Sequence, residues 1–196
     1  MKRCMGCMKL YDDNVNVCPH CGYVEDSEVY ETQCLPPHYK LQNRYILGRI
    51  IGIGGFGITY IAWDSTLEKC VAIKEYLPGE FSTRLEGQTK VTIFSGEKTE
   101  QYIAGKKRFL EEAKILMKFN NIDGVVQFYN FFEENETVYI VMEYLEGETV
   151  KQRLQREKTI PVIDALNIIM PIVDAMEKIH AENIIHRDIS PDNIIL

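Results

Sequence analysis

Short apolar runs rich in β-branched and aromatic residues alternate with polar turns over the first two thirds of the chain. Tyr45 to Ile53 and Ile58 to Trp63 predict two strands around a glycine-rich turn, and Lys69 to Glu75 predicts a third. Lys106 to Phe119 has helical periodicity. Val125 to Phe132 and Thr137 to Tyr144 predict two more strands, joined by the polar turn Glu133-Glu134-Asn135-Glu136. After Gly147 the pattern turns helical, with Ile163 to His180 the longest segment. Strands with one helix first, then helices, give an α+β chain. The absence of an internal repeat argues against a solenoid.

Length sharpens this reading. At about 150 residues per domain, 196 residues hold one full domain and a small extra unit. The formal charge, 22 minus 29 or −7, argues against a nucleic-acid-binding surface, leaving only a small basic patch at Lys2, Arg3 and Lys9. No apolar run is long enough to span a bilayer, and Met1 to Leu10 leads into cysteines rather than an apolar signal segment, so a cytoplasmic chain without a membrane segment is expected.

Four of the six cysteines form two knuckles, Cys4-Met-Gly-Cys7 and Cys18-Pro-His-Cys21, with ten residues between them. Each knuckle aims two thiolates at one point, and two knuckles supply the tetrahedral sulfur shell that Zn2+ takes in closed structural sites. His20 is a bystander in this reading, and Cys70, in an apolar run, is a core thiol. The segment resembles a zinc ribbon, too short to bury a core of its own, so metal binding would supply its folding energy. The expected organisation is a ribbon at 1–24, then a linker at 25–43 carrying Glu25, Asp26, Glu28, Glu31 and the pair Pro36-Pro37, then a domain from 44 to 196.

Gly52, Gly54 and Gly57 form G-x-G-x-x-G within Ile51-Gly-Ile-Gly-Gly-Phe-Gly-Ile-Thr59. Dinucleotide-binding folds share this spacing, but there the glycines open a helix, whereas here a strand-forming run follows. A hairpin turn that covers phosphates fits better. The next strand carries Val71-Ala72-Ile73-Lys74, and a lysine among apolar neighbours is costly to bury unless it meets an anion.

Loop and lysine together resemble the N-terminal lobe of eukaryotic-type serine/threonine protein kinases, of the kind bacteria also carry. The resemblance implies an antiparallel sheet with one helix, followed by a helical lobe. It also implies a helix glutamate facing Lys74, and in Phe109-Leu-Glu-Glu-Ala-Lys-Ile-Leu116 the spacing selects Glu112, three after Phe109 and four before Leu116. The 37 residues from 75 to 111 are a longer connection than is usual, with a hairpin expected from Gln88 to Thr99.

Downstream, His186-Arg-Asp-Ile-Ser-Pro-Asp-Asn193 matches the kinase H-R-D-x-x-x-x-N loop. The resemblance gives Asp188 the acceptor hydroxyl's proton and Asn193 a magnesium ion. It places ATP against Ile51, Gly52, Ile53, Gly54, Gly55, Phe56, Gly57, Ile58, Thr59, Ala72 and Lys74, with Met142 as gatekeeper and Glu143 to Leu145 as the hinge. Implied cofactors are ATP, Mg2+ and structural Zn2+, and the implied partner is a protein with a Ser or Thr acceptor. Ser190 stands where serine/threonine kinases usually have lysine, and Thr59 where valine is usual. The chain ends three residues after Asn193, before any D-F-G segment. The expected reading is therefore a kinase domain cut after its catalytic loop and inactive alone, with the apolar face of Ile163 to Ile179 left exposed. Two alternatives stand beside it: a pseudokinase or nucleotide-binding scaffold, and a zinc-ribbon interaction module.

Overall fold

The computed structural model describes residues 1–25, 32–186 and 188–196. Asp26, Glu28, Glu31 and Arg187 lie outside the described residues. The chain divides into two compact units, residues 1–116 with 128–144, and residues 117–127 with 145–196.

The first unit opens with two short paired strands, β1 (Lys2–Arg3) and β2 (Leu10–Tyr11). A six-stranded antiparallel sheet follows, built from β3 (Lys40–Leu41), β4 (Tyr45–Gly54), β5 (Gly57–Asp64), β6 (Lys69–Tyr76), β9 (Phe128–Glu134) and β10 (Thr137–Glu143). Its strand order is β3-β4-β5-β6-β10-β9. Between β6 and β9 come a small hairpin, β7 (Ser82–Arg84) with β8 (Val91–Ile93), and the helix α1 (Glu97–Leu116). The two glycine-flanking strands, the lysine strand and the last strand stand where their composition places them, while the strand expected at Val125 to Phe132 runs instead from Phe128 to Glu134, taking Glu133 and Glu134 out of the expected turn. The β9 to β10 turn sets Asn135 and Glu136 at positive φ, the backbone a tight hairpin turn with matching twist requires.

Three further expectations need correction. The helix begins at Glu97, not Lys106, because Tyr102 belongs to its buried face with Phe109 and Ala113. The hairpin uses 82–84 and 91–93 rather than Gln88 to Thr99. The second half of the expected linker is packed structure: Cys34, Leu35 and Leu41 lie in the sheet's core, and Leu35 N–H bonds the Tyr60 hydroxyl at 3.1 Å.

Aromatic rings knit this core. Phe132 stacks between Tyr45 and Tyr139, and Tyr76 meets Tyr102 and Phe109 of α1. At its centre is a charge that sequence reading did not find. Glu75 and Arg84 are 0% and 3% exposed and form a two-pronged ion pair. Tyr60 and Tyr139 donate to the same carboxylate at 3.0 and 2.7 Å, and Arg84 also reaches the carbonyls of Gln33 (2.6 Å) and Thr89 (2.8 Å). Burial opposes the Arg84 charge, but its bonds to Glu75 hold its pKa above the ordinary value. Burial likewise pushes both tyrosines up, so they remain donors. The β7 hairpin is thus pinned to β6 by a fully bonded charge pair.

The second unit is helical. Thr149 caps α2 (Val150–Glu157) with a reciprocal box, its hydroxyl taking the Gln152 N–H while the Gln152 side chain takes the Thr149 N–H. The longer α3 spans Val162–Ala181 and buries only Ala175 and Ile179 fully. Val162, Ile163, Leu166, Ile169, Met170 and Val173 are exposed, as expected for this face. Among the described residues no helix is long and apolar enough to cross a membrane.

Candidate functional site

Sheet register assembles the nucleotide-binding candidates. Directly opposed residues in an antiparallel ladder project to the same side, and side chains alternate along each strand. Gly52 opposes Thr59, Thr59 opposes Lys74, and Lys74 opposes Ile140, forming one row across β4, β5, β6 and β10. Two residues along, Ile61 opposes Ala72 and Ala72 opposes Met142. Thr59, Ala72, Lys74 and Met142 therefore share a face, as a nucleotide wall requires. Glu143 follows at the end of β10.

The glycine loop crosses between β4 and β5, with Ile53, Gly54, Gly55 and Phe56 exposed and Ile58 buried. Gly57 has φ +150°, and a Cβ there would lie 1.8 Å from the Glu75 carbonyl, so no side chain fits as the loop returns over β6.

Lys74 is half-buried. Among the described residues it has no carboxylate partner in ion-pair range, and its ammonium sits 5.8 Å from the Phe109 ring centre. The expected pairing with Glu112 is not made. The inward stripe of α1 is centred on Tyr102, Phe109 and Ala113, and Glu112 lies roughly 80° around the helix from it at 100° per residue. It is exposed. Taking Phe109 and Leu116 as the stripe's centre placed it one flank too far inward. A cation held in a wall without its own counter-charge suits an anionic ligand.

Leu145 and the catalytic loop belong to the second unit. Asn193 folds back on Asp188, its Nδ2 donating to the Asp188 carboxylate at 2.9 Å and to the Asp188 carbonyl at 3.0 Å. Asp188 N–H meets His186 Nδ1 at 3.3 Å, and Asn193 N–H bonds the Ser190 carbonyl at 3.0 Å. Lys151 holds Asp192 at 2.8 Å, and an isolated antiparallel bridge joins Ile195, after the loop, to Thr149. Asp188 and Asn193 are exposed. A carboxylate and an amide are thereby fixed side by side, with the amide oxygen turned to no protein donor among the described residues.

The four knuckle cysteines converge as expected, with all four sulfurs within 4.8 Å of one another. Cys4 and Cys21 are 3.6 Å apart, and Cys7 and Cys18 are 3.8 Å apart. A tetrahedron with Zn–S bonds of about 2.3 Å has edges of about 3.8 Å, and these two edges are close to that length. Gly6 N–H points at Cys4 Sγ from 3.3 Å. Against the cost of its burial, the N–H groups of His20 and Cys21 bring the Cys18 thiol down to about 7. His20 stays outside the cage, near the Leu10 carbonyl at 3.3 Å. The basic patch beside the cage is engaged internally: Lys2 pairs with Glu25, and the Arg3 guanidinium lies 3.5 Å from the Trp63 ring centre.

Residues 45–196 match the family described as protein kinase domain. The chain belongs to the protein kinase family. Among curated kinases it is similar to the serine/threonine-protein kinase PknA of Nostoc sp. (strain PCC 7120), 32% identical over 160 residues covering 80% of the chain. It is similar also to the serine/threonine-protein kinase PrkC of Bacillus subtilis, 32% identical over 157 residues and 80% of the chain. It spans 25% and 21% of those two kinases. A solved structure titled PpkA-294 apo form superposes with a TM-score of 0.77 at 34% identity, covering 83% of this chain and 57% of that one. The kinase fold and its serine/threonine-type relatives agree with the glycine loop, lysine strand and catalytic loop. The matched region starts at Tyr45, after the cysteine cage.

Proposed function

We propose that the protein carrying this chain transfers the γ-phosphoryl group of ATP to a Ser or Thr hydroxyl of a protein substrate. The observation that carries this is the 2.9 Å bond holding Asn193 against the Asp188 carboxylate within the catalytic loop. ATP supplies the phosphoryl group and Mg2+ the charge neutralisation that phosphoryl transfer depends on. Asp188 accepts the proton of the acceptor hydroxyl, and the Asn193 side-chain oxygen is the metal-facing atom. Lys74 supplies the cation for the phosphates, and the N–H groups of Gly52 to Gly57 cover them. Ala72, Ile51, Thr59, Met142, Glu143 and Leu145 are assigned to the adenine.

Cys4, Cys7, Cys18 and Cys21 hold structural Zn2+ in this reading, supported by the cage's dimensions. Reduced thiols in such a site suit a cytoplasmic setting. The ribbon at 1–24 precedes a kinase domain taken as 44–196.

The test is phosphate transfer from γ-labelled ATP to a Ser/Thr-rich protein acceptor by the full gene product. Asp188→Asn is expected to abolish labelling while nucleotide binding persists; labelling that survives removes Asp188 from this role. Ser190, which brings no positive charge to the loop, favours one second reading, a nucleotide-binding scaffold. Its signature is ATP binding by the wild type without transfer to any acceptor.

A further inference from the structure

The cysteine cage is packed on the kinase sheet, on the face that carries the nucleotide wall. Cys4, Met5, Met8, Tyr11, Cys18 and Tyr23 cluster with Ile61, and Ile46, Ile51, Trp63, Cys70 and Tyr144 close around them. Ile61 belongs to the Ala72 and Met142 row, while Trp63 and Cys70 oppose each other in the next row along. The ribbon thus continues the wall where the nucleotide candidates stop, and Ile51, next to Gly52, packs against it.

The join is made by the first metal knuckle itself. On either side of Ile50, β4 slips register against β5, at Leu47/Ile50 and at Ile50/Gly52, immediately before the glycine loop. At such bulges an amide leaves the ladder and needs another acceptor. Arg49 N–H finds it in the Met5 carbonyl at 2.8 Å, and Arg49 Nε bonds the Gly6 carbonyl at 3.0 Å. Both acceptors lie between Cys4 and Cys7, where a bound metal fixes the backbone. Gly48 is the notch for this contact: a Cβ there would stand 2.2 Å from both the Met5 carbonyl oxygen and Met8 Cε.

We propose that metal occupancy of the four-cysteine cage sets the affinity of the sheet for nucleotide, acting through Arg49 and the bulged end of β4. This rests on the nucleotide-binding reading above. With metal bound, the knuckle presents two carbonyls in a fixed geometry and holds β4 in the register that places Ile51 and Gly52. Without it, the knuckle loses the restraint of its metal–sulfur bonds, the Met5 and Gly6 carbonyls no longer stand in a fixed geometry before Arg49, and the loop-bearing strand can drift. Reciprocity requires nucleotide to tighten metal binding by the same factor.

The experiment titrates a fluorescent ATP analogue with Mg2+ into the 196-residue chain, loaded with one equivalent of zinc or stripped by chelator under reducing conditions. Stripping is expected to weaken nucleotide binding by about fivefold or more, and saturating nucleotide to strengthen zinc binding in chelator competition by the same factor. Gly48→Ala, with all four thiols intact, is expected to bind one zinc and yet show the weak nucleotide affinity of stripped protein. Arg49→Ala gives a smaller loss in the same direction and carries the test if Gly48→Ala does not fold. Equal affinity of loaded and stripped wild type overturns the coupling, and zinc-dependent affinity preserved in both variants overturns its route. No nucleotide binding in any form sinks the nucleotide reading and the coupling with it.

Discussion

Arg84→Ala should be among the most damaging substitutions in the chain, although Arg84 lies in the long connection after β6. The variant leaves the Glu75 carboxylate, 0% exposed, with two tyrosine hydroxyls and, among the described residues, no cation. Breaking a buried pair from one side costs about 3–5 kcal/mol, and the orphaned carbonyls of Gln33 and Thr89 add about 1 kcal/mol each where water cannot reach them. For a chain of this size each kcal/mol moves the melting temperature by about 2–4 °C, so the combined loss of about 5–7 kcal/mol is expected to lower it by roughly 10–28 °C. Urea unfolding of Arg84→Ala, Glu75→Gln, Arg84→Met and the Glu75→Gln/Arg84→Met double variant completes the measurement. The double variant should recover much of the loss, because it removes both charges and leaves an amide the tyrosines can still bond. A loss below about 1 kcal/mol for Arg84→Ala, or strict additivity in the double variant, would refute the reasoning.

Other outcomes follow from separate parts of the molecule. Lys74→Met should cut nucleotide affinity at least about tenfold yet shift stability by no more than about 0.5 kcal/mol, since Lys74 makes no ion pair among the described residues; calorimetry and thermal melting separate the two. Glu112→Gln should leave nucleotide affinity unchanged in the same titration, because Glu112 does not reach Lys74. Asp64 is fully buried against Arg44; burial works to raise its pKa, but the Arg44 bonds and the Leu67 and Thr66 N–H groups win and depress it. Its contribution is therefore complete above its unfolded pKa of about 3.9 and fades as pH falls through the lower folded value, so Asp64→Asn should flatten the acid limb of a stability profile. Cys18→Ser should abolish stoichiometric zinc uptake measured by elemental analysis, and uptake in the wild type should weaken at acid pH as protons compete for the sulfurs.

What the sequence made legible was local. Strands β4, β5, β6 and β10 follow from β-branched and aromatic runs, and the cage from ligand spacing, because each is specified within a few residues of itself. The catalytic loop is equally local, and Asp188 and Asn193 meet across five positions. Glu75 with Arg84 was invisible for the opposite reason: a glutamate beside the wall lysine and an arginine in an uninterpreted connection meet only when β7 folds back on the sheet. Glu112 failed more narrowly, since a flank residue and a face residue differ by one helical step, and only the position of Tyr102 fixes the centre. Leu35 and Leu41 were hidden by the neighbouring prolines, which mark a break in regular structure without saying whether the chain around them is buried.

Trp63 is the chain's single tryptophan, and the Arg3 guanidinium covers its ring at 3.5 Å. The chain therefore carries its own optical probe at the seam between ribbon and sheet. Lifting the ribbon uncovers that indole to water and shifts its emission to longer wavelength, while the other aromatic residues contribute nothing at selective excitation. Docking of the ribbon can be followed in unlabelled protein, in real time, as metal is added or withdrawn.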